Sequence, residues 1–310
     1  MDTQLAAFKA YLIDSNKLSG NSVTAYLSDL ADFAAFLRER GAEPAGASKA
    51  DVAAYLLGLK QSGRSAATVN RKLASIRAYY KYLMERGILS QSPASALKSP
   101  RIQRKEIEYL TIEEVDRLLA APADNDIGLR DTAILEMLYA TGLRVTELMY
   151  VNVDDINLRM GFVSCDGAHG KARIIPLGRP ARAALEKYIY DVRPHFRRDA
   201  EAGRGRGGKA QAKSKSKDDG ALFLNYYGER ITRQALWKIL RGYAEKAEIK
   251  KNITPQILRN SFAVHMIQNG ADLKSVQELM GHEDPIATQA YLAVSKNRIK
   301  DVYDSAHPRA

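Results

Sequence analysis

At 310 residues the chain is too long for one ordinary domain and comfortable for two, each able to bury its own core. Its formal net charge of +11 favours a polyanionic partner, either nucleic acid or an anionic membrane. No apolar run approaches the roughly 20 residues a spanning helix needs, and the opening MDTQLAAFKAYL lacks the basic and apolar blocks of a signal peptide, so no membrane partner and a cytoplasmic location are expected. A lone cysteine, Cys165, supports neither an internal disulfide nor a zinc cluster, and neither metal nor cofactor is expected.

The first hundred residues read as helices joined by short polar breaks. Val23, Tyr26, Leu27, Leu30, Phe33, Phe36 and Leu37 fall on one helical stripe that ends near Gly41. A second helix is expected at about Lys49 to Ser62. A third carries Val69, Leu73, Ile76, Tyr79, Tyr80 and Leu83 on one side, with Arg64, Arg71, Lys72 and Arg77 between or beside them. A charged wet face is the default for a surface helix, and these four bases are also candidate DNA contacts.

From Gln91 to Lys105 two prolines, several serines and a cluster of bases show no apolar period. This reads as an interdomain linker, placed at 96–107 between a helical domain, 1–95, and a second domain, 108–310. There Thr111 and Glu114 form a capping box that opens the helix IEEVDRLLAAP, and another helix runs from Leu129 to Tyr139. GFVSC and ARIIPL, two runs of β-formers around the turn residues DGAHGK, predict a hairpin in which Cys165 simply packs. Between Arg197 and Lys217 eight bases and two acids carry six of the eleven net charges. Rich in Gly, Ala, Ser and Lys, the segment 197–219 reads as a disordered basic insert. The fold class is therefore mainly α: two domains, the second mostly helical with a small antiparallel sheet.

TGLRVTEL, ITPQILRNSF, LMGHEDPIATQAY and the hairpin each set basic or nucleophilic side chains beside a helix end or turn. Together they resemble the catalytic domain of the tyrosine recombinase and integrase family. The amino-terminal helices look like that family's core-binding domain, a clamp for DNA. Within the family the resemblance is to the bacterial Xer site-specific recombinases, down to the closing HPRA.

The resemblance implies that Tyr291, nine residues after His282, attacks the scissile phosphate and becomes joined to its 3′ end. It matches Arg144 and Arg259 to two arginines that hold the phosphate's non-bridging oxygens, a task that suits an always-charged, planar, bidentate guanidinium. Glu147, three residues after Arg144, is expected to fix that guanidinium, and His282 to donate a hydrogen bond to the phosphate.

Two positions depart from the family's pattern. Gln256 stands where the pattern has a histidine three residues before the second arginine, and an amide exchanges no proton. Ala168 stands where a lysine protonates the departing 5′ oxygen. His169 and Lys171, in the same turn, are the available substitutes, with Lys171 preferred for its reach. The implied partners are duplex DNA and a DNA-bound tetramer, formed with itself or a paralogous recombinase, in which the segment after Tyr291 docks on a neighbour. The alternatives are a recombinase-fold architectural DNA-binding protein with weakened cleavage, and a mobile-element integrase using the same chemistry.

Overall fold

The structure, a computed structural model, describes residues 2–14, 18, 20–101, 106–166, 172–201, 220–281, 288, 289 and 291. The chain divides into two compact units, Met1–Lys105 and Glu106–Ala310. The expected roles of Ala168, His169, Lys171, His282 and the segment after Tyr291 fall outside the described residues.

The first unit is built from α1 (Asp2–Asp14), α2 (Gly20–Glu39), α3 (Lys49–Gln61) and α4 (Ala66–Glu85). Ser48 with Asp51 closes a capping box on α3, and Ser65 caps α4. These side chains satisfy backbone N–H groups that the first helical turn leaves without partners. The expected stripes are the buried ones: Val23, Leu30, Phe33 and Leu37 of α2 meet Val69, Leu73, Ile76, Tyr79, Tyr80 and Leu83 of α4.

The expectation of a wet basic face on α4 needs correction at Lys72. That residue is only 6% exposed. Its Nζ lies 3.0 Å from buried Asp29 and 2.6 Å from Asp32, while Ser75 Oγ and Arg71 also donate to Asp29. A buried ammonium survives only when so paired. Nor is the start of the expected linker free. Arg77 donates to the carbonyls of Leu97 and Ala94 and to Ser99 Oγ, and Asn70 Nδ2 donates to Pro100 O at 2.9 Å. Arg77 thereby ties residues 94–99 to α4.

The second unit opens with α5 (Ile112–Ala120), whose cap is the expected pair: Glu114 N donates to Thr111 Oγ1 and Thr111 N to Glu114 Oε2. There follow α6 (Asp126–Thr141), α7 (Val145–Tyr150) and an antiparallel sheet of β1 (Ile156–Asn157), β2 (Phe162–Asp166) and β3 (Ala172–Pro176) in the order β1-β2-β3. The predicted hairpin is β2 and β3, with Val163 opposite Ile175 and Cys165 opposite Arg173. Buried Cys165 is a packing residue. The two-residue β1 gave no alternating pattern long enough to read.

The chain continues through α8 (Arg179–Lys187), a π-helical turn at Tyr188–Val192, α9 (Arg193–Glu201), α10 (Arg233–Lys246), α11 (Pro255–Gln268) and α12 (Leu273–Met280). The insert expected from residue 197 must be corrected, because residues 197–201 complete α9, anchored by buried Phe196 and by Arg193, which donates to Ala221 O at 2.7 Å. The central α6 buries Ala133, Ile134, Leu135, Met137 and Leu138, and packs against α8 and α11. No described helix is long and apolar enough to cross a membrane.

Candidate active site

The turn after α6 sets the first arginine in place. Gly142 ends that helix with φ at +59°, and a Cβ there would lie 2.5 Å from the Phe262 ring, so both conformation and space call for glycine. Two residues on, Arg144 caps α7, and its backbone N donates to Glu147 Oε2 at 2.7 Å. Its Nη1 returns to Glu147 Oε1 at 2.9 Å, as the three-residue spacing predicts.

Glu147 has a second partner that the sequence reading missed. Arg173 on β3 meets both carboxylate oxygens, Nη1 to Oε1 and Nη2 to Oε2, each at 2.9 Å. A signal was present: Arg173 shares a strand face with Ile175, which is 1% exposed, and an arginine on a buried face needs a carboxylate. Burial pushes the Glu147 carboxyl up. The Arg173 and Arg144 hydrogen bonds and charges outweigh it, and Glu147 stays below the usual carboxylate range.

Arg259 projects from α11 and is 3% exposed. Together the three arginines hold the end of α12. Leu279 O accepts from Arg173 Nε at 2.9 Å, Met280 O from Arg259 Nη2 at 2.6 Å and Gly281 O from Arg144 Nη2 at 2.8 Å. Arg259 also donates to Gly142 O. Helix-terminal carbonyls need donors and carry partial negative charge, so guanidinium groups suit them on both counts. Gly281 is left-handed at φ +60°, and a Cβ on it would approach Arg173 Nη1 to 2.9 Å. Burial, then the neighbouring Arg144 charge, lowers the Arg259 guanidinium to about 10. It remains charged at neutral pH.

Tyr291 is 4% exposed and packs with Phe262, Val276 and Met280. Burial raises its phenol above the ordinary value, while the charges of Arg259 and Arg144 pull the other way. Its Oη donates to Asn260 Oδ1 at 3.1 Å, and Gln256 Nε2 donates to the same oxygen at 2.9 Å. Arg144, Glu147, Arg259 and Tyr291 are thus gathered in one place with Arg173, and Gln256 reaches the site through Asn260. Asn260 was also missed, although it lies four residues after Gln256 on a helix, where side chains meet. Arg64, Arg71, Lys72 and Arg77 belong to the other unit, Arg64 and Arg71 exposed and Lys72 buried.

The sequence pattern of the phage integrase family matches residues 108–298, and that family's N-terminal SAM-like domain matches residues 5–87. A tyrosine recombinase XerD of Listeria monocytogenes serotype 4b is 41% identical over 100% of both chains. A tyrosine recombinase XerC of Herpetosiphon aurantiacus is 39% identical over 100% of this chain and 96% of its own. Among solved structures, a Tn1549 transposon integrase in complex with transposon right end DNA gives a TM-score of 0.70 at 16% identity, covering 96% of this chain and 99% of that one. XerH recombinase bound to its palindromic difH substrate gives 0.67 at 18% identity, covering 96% and 94%. At those identities the likeness is one of fold.

Proposed function

The chain belongs to the phage integrase family, and on that premise we propose that it is a Xer-type site-specific recombinase that cuts and rejoins duplex DNA through a 3′-phosphotyrosyl link to Tyr291. The observation that carries this reading is a buried phenol subject to the charges of two arginines, in a site with surplus positive charge. Arg144, Arg173 and Arg259 contribute three positive charges and Glu147 one negative, leaving a surplus of two among these four side chains. A phosphodiester carries one negative charge and its pentavalent transition state carries more, so the site's field favours the transition state over the ground state.

In this reading Arg144 and Arg259 exchange carbonyl partners for the non-bridging phosphate oxygens, and His282 adds a donor. The Tyr291 oxygen forms its bond to phosphorus as the bond to the 5′ oxygen breaks, and Lys171 or His169 supplies the proton that the leaving oxygen takes up. The phosphotyrosyl bond keeps the phosphodiester's energy, so a 5′ hydroxyl from a second duplex can reverse the step and seal a new joint. Exposed Arg64 and Arg71 are proposed as phosphate contacts of the first unit. Two duplexes demand four cleavages, which supports assembly of four subunits on DNA, of this chain alone or with a paralogue. A binding protein with weakened cleavage is the second reading, favoured by Ala168 and by the engagement of Gln256 with Asn260.

The test is a nicked suicide duplex bearing the site this protein selects from a random-sequence pool. The proposal expects a covalent protein–DNA adduct from the wild type and none from Tyr291→Phe, with DNA binding nearly unchanged. A wild type that binds this duplex without forming an adduct is the outcome of the second reading.

A further inference from the structure

The phenol of Tyr291 is held by its proton. Its Oη donates to Asn260 Oδ1 at 3.1 Å, and that oxygen accepts a second hydrogen bond from Gln256 Nε2 at 2.9 Å. At the other end of the amide, Asn260 Nδ2 donates to Glu108 O at 2.9 Å. A backbone carbonyl cannot donate, so the Glu108 bond identifies the nitrogen end of the amide and leaves the oxygen end facing Tyr291. Two anchors therefore fix the acceptor that the phenol meets.

We propose that Asn260 is a positioning residue for the attacking oxygen: it takes the hydroxyl hydrogen of Tyr291 on one side and so directs the oxygen's lone pairs away from itself, toward the phosphate position held by Arg144 and Arg259. The proposal rests on the reading of Tyr291 as nucleophile and deepens it. A phenol oxygen has one hydrogen near the ring plane, and committing it to Asn260 sets the direction of what remains. The electrostatics agree with that direction, since the charges of Arg259 and Arg144 are both felt at the phenol. Gln256, in the place of a proton-exchanging histidine, becomes a support that keeps the Asn260 amide from turning. Neither amide gains or loses a proton in the reaction. The proton of Tyr291 passes to solvent, the oxygen's electron pair forms the bond to phosphorus, and the bond to the 5′ oxygen breaks as that oxygen takes a proton from Lys171 or His169.

The experiment uses the full chain, the selected nicked duplex at saturation, and two readouts: the single-turnover rate of adduct formation, and Tyr291 ionisation followed by NMR of 13Cζ-labelled tyrosine without DNA. The Tyr291 signal is assigned among the 16 tyrosines by its loss in Tyr291→Phe. Asn260→Ala should bind DNA normally and form adduct about 10- to 100-fold more slowly, the scale of a nucleophile misaligned by about an ångström. Its phenol pKa should fall, because a hydrogen bond that favours the neutral form is lost. Loosening of the site would also lower this pKa, because burial is what raises it, so the discriminating readout is the Asn260→Asp variant, in which an acceptor is restored. Asn260→Asp keeps an acceptor oxygen but loses the donor to Glu108 O, so its adduct rate should lie between those of the alanine variant and wild type while its phenol pKa rises. Gln256→Ala leaves the acceptor and removes one support, so it should be slower than wild type and faster than Asn260→Ala. Should Asn260→Ala fail to fold, Gln256→Ala and Asn260→Asp carry the same test. Wild-type rates in Asn260→Ala or Gln256→Ala, or an Asn260→Asp with no more than the alanine variant's rate, overturn the proposal. An adduct that survives in Tyr291→Phe overturns the nucleophile assignment itself, a failure distinct from these.

Discussion

Arg173 and Glu147 face each other through two parallel hydrogen bonds of 2.9 Å, from β3 to α7. Arg173 comes two residues after Lys171, while Glu147 holds Arg144, so this pair links the strand that follows the candidate general acid to an arginine expected to grip the phosphate. Among the described residues, Arg173→Ala leaves the buried carboxylate with Arg144 as its one guanidinium partner. Leaving a buried charge with no partner costs about 3–5 kcal/mol; because Arg144 still holds Glu147, a smaller loss is expected in denaturant unfolding of the second unit. Arg173→Lys keeps the charge without the two-point geometry, and should fold better than the alanine variant yet cleave well below wild type. Equal cleavage by Arg173→Lys and wild type would mean that the fork has no part in the site.

Glu147 also makes stability depend on pH. Its carboxyl is held below its ordinary value in the folded protein, so it contributes stability that is present above the ordinary glutamate value and lost as pH falls through the lower folded one. Unfolding free energy should therefore drop through that acid window in the wild type. Glu147→Gln, less stable at neutral pH, should show a shallower drop there. Parallel acid limbs would show that Glu147 is not a source of the dependence.

Gly142→Ala tests the turn that delivers Arg144. Left-handed backbone strain and the approach to the Phe262 ring should together destabilise the fold by about 1–3 kcal/mol. Adduct formation should fall further than folded population explains, because the arginine two residues on moves with the turn. A variant with wild-type melting and cleavage would show that the turn relaxes without consequence.

On the first unit, Lys72 and Arg64 should behave oppositely. Lys72→Met removes one partner of buried Asp29, which keeps Arg71 and Ser75, and should lower stability by about 1–3 kcal/mol, with any loss of DNA binding following the loss of fold. Arg64→Ala should leave stability within about 0.5 kcal/mol. If Arg64 contacts phosphate, its removal reduces the slope of log affinity against log salt by about 1. An unchanged slope removes Arg64 from the proposed interface.

Much of this arrangement was legible in the sequence because it follows period and cap chemistry. The α4 stripe, the Thr111–Glu114 box and the β2–β3 hairpin follow from side-chain spacing alone. Glu147 was legible as a partner of Arg144 for the same reason, lying one helical turn away. Arg173 was harder, since its partner is 26 residues distant and only the folded sheet brings them together. Lys72 misled because a helical wheel places it near a charged edge, while the acids that bury it lie on another helix 40 and 43 residues back. Residues 197–201 read as part of the insert because composition does not register that Arg193 and Phe196 anchor their helix.

The arginines should separate binding from chemistry. Arg259→Ala and Arg144→Ala are each expected to slow adduct formation about 10²- to 10³-fold, the scale of losing one donor to developing charge. Affinity for the uncleaved site, measured by mobility shift, should change by less than tenfold. Losses of equal size in both assays would make them ordinary anchors.

The most direct test of the account is to digest the trapped adduct from the suicide duplex and sequence the nucleotide-bearing peptide by mass spectrometry. The expected result is one modified peptide, spanning Tyr291, with the phosphate on the tyrosine oxygen and the 3′ end of the cut strand attached. A nucleotide found on any other side chain would contradict it.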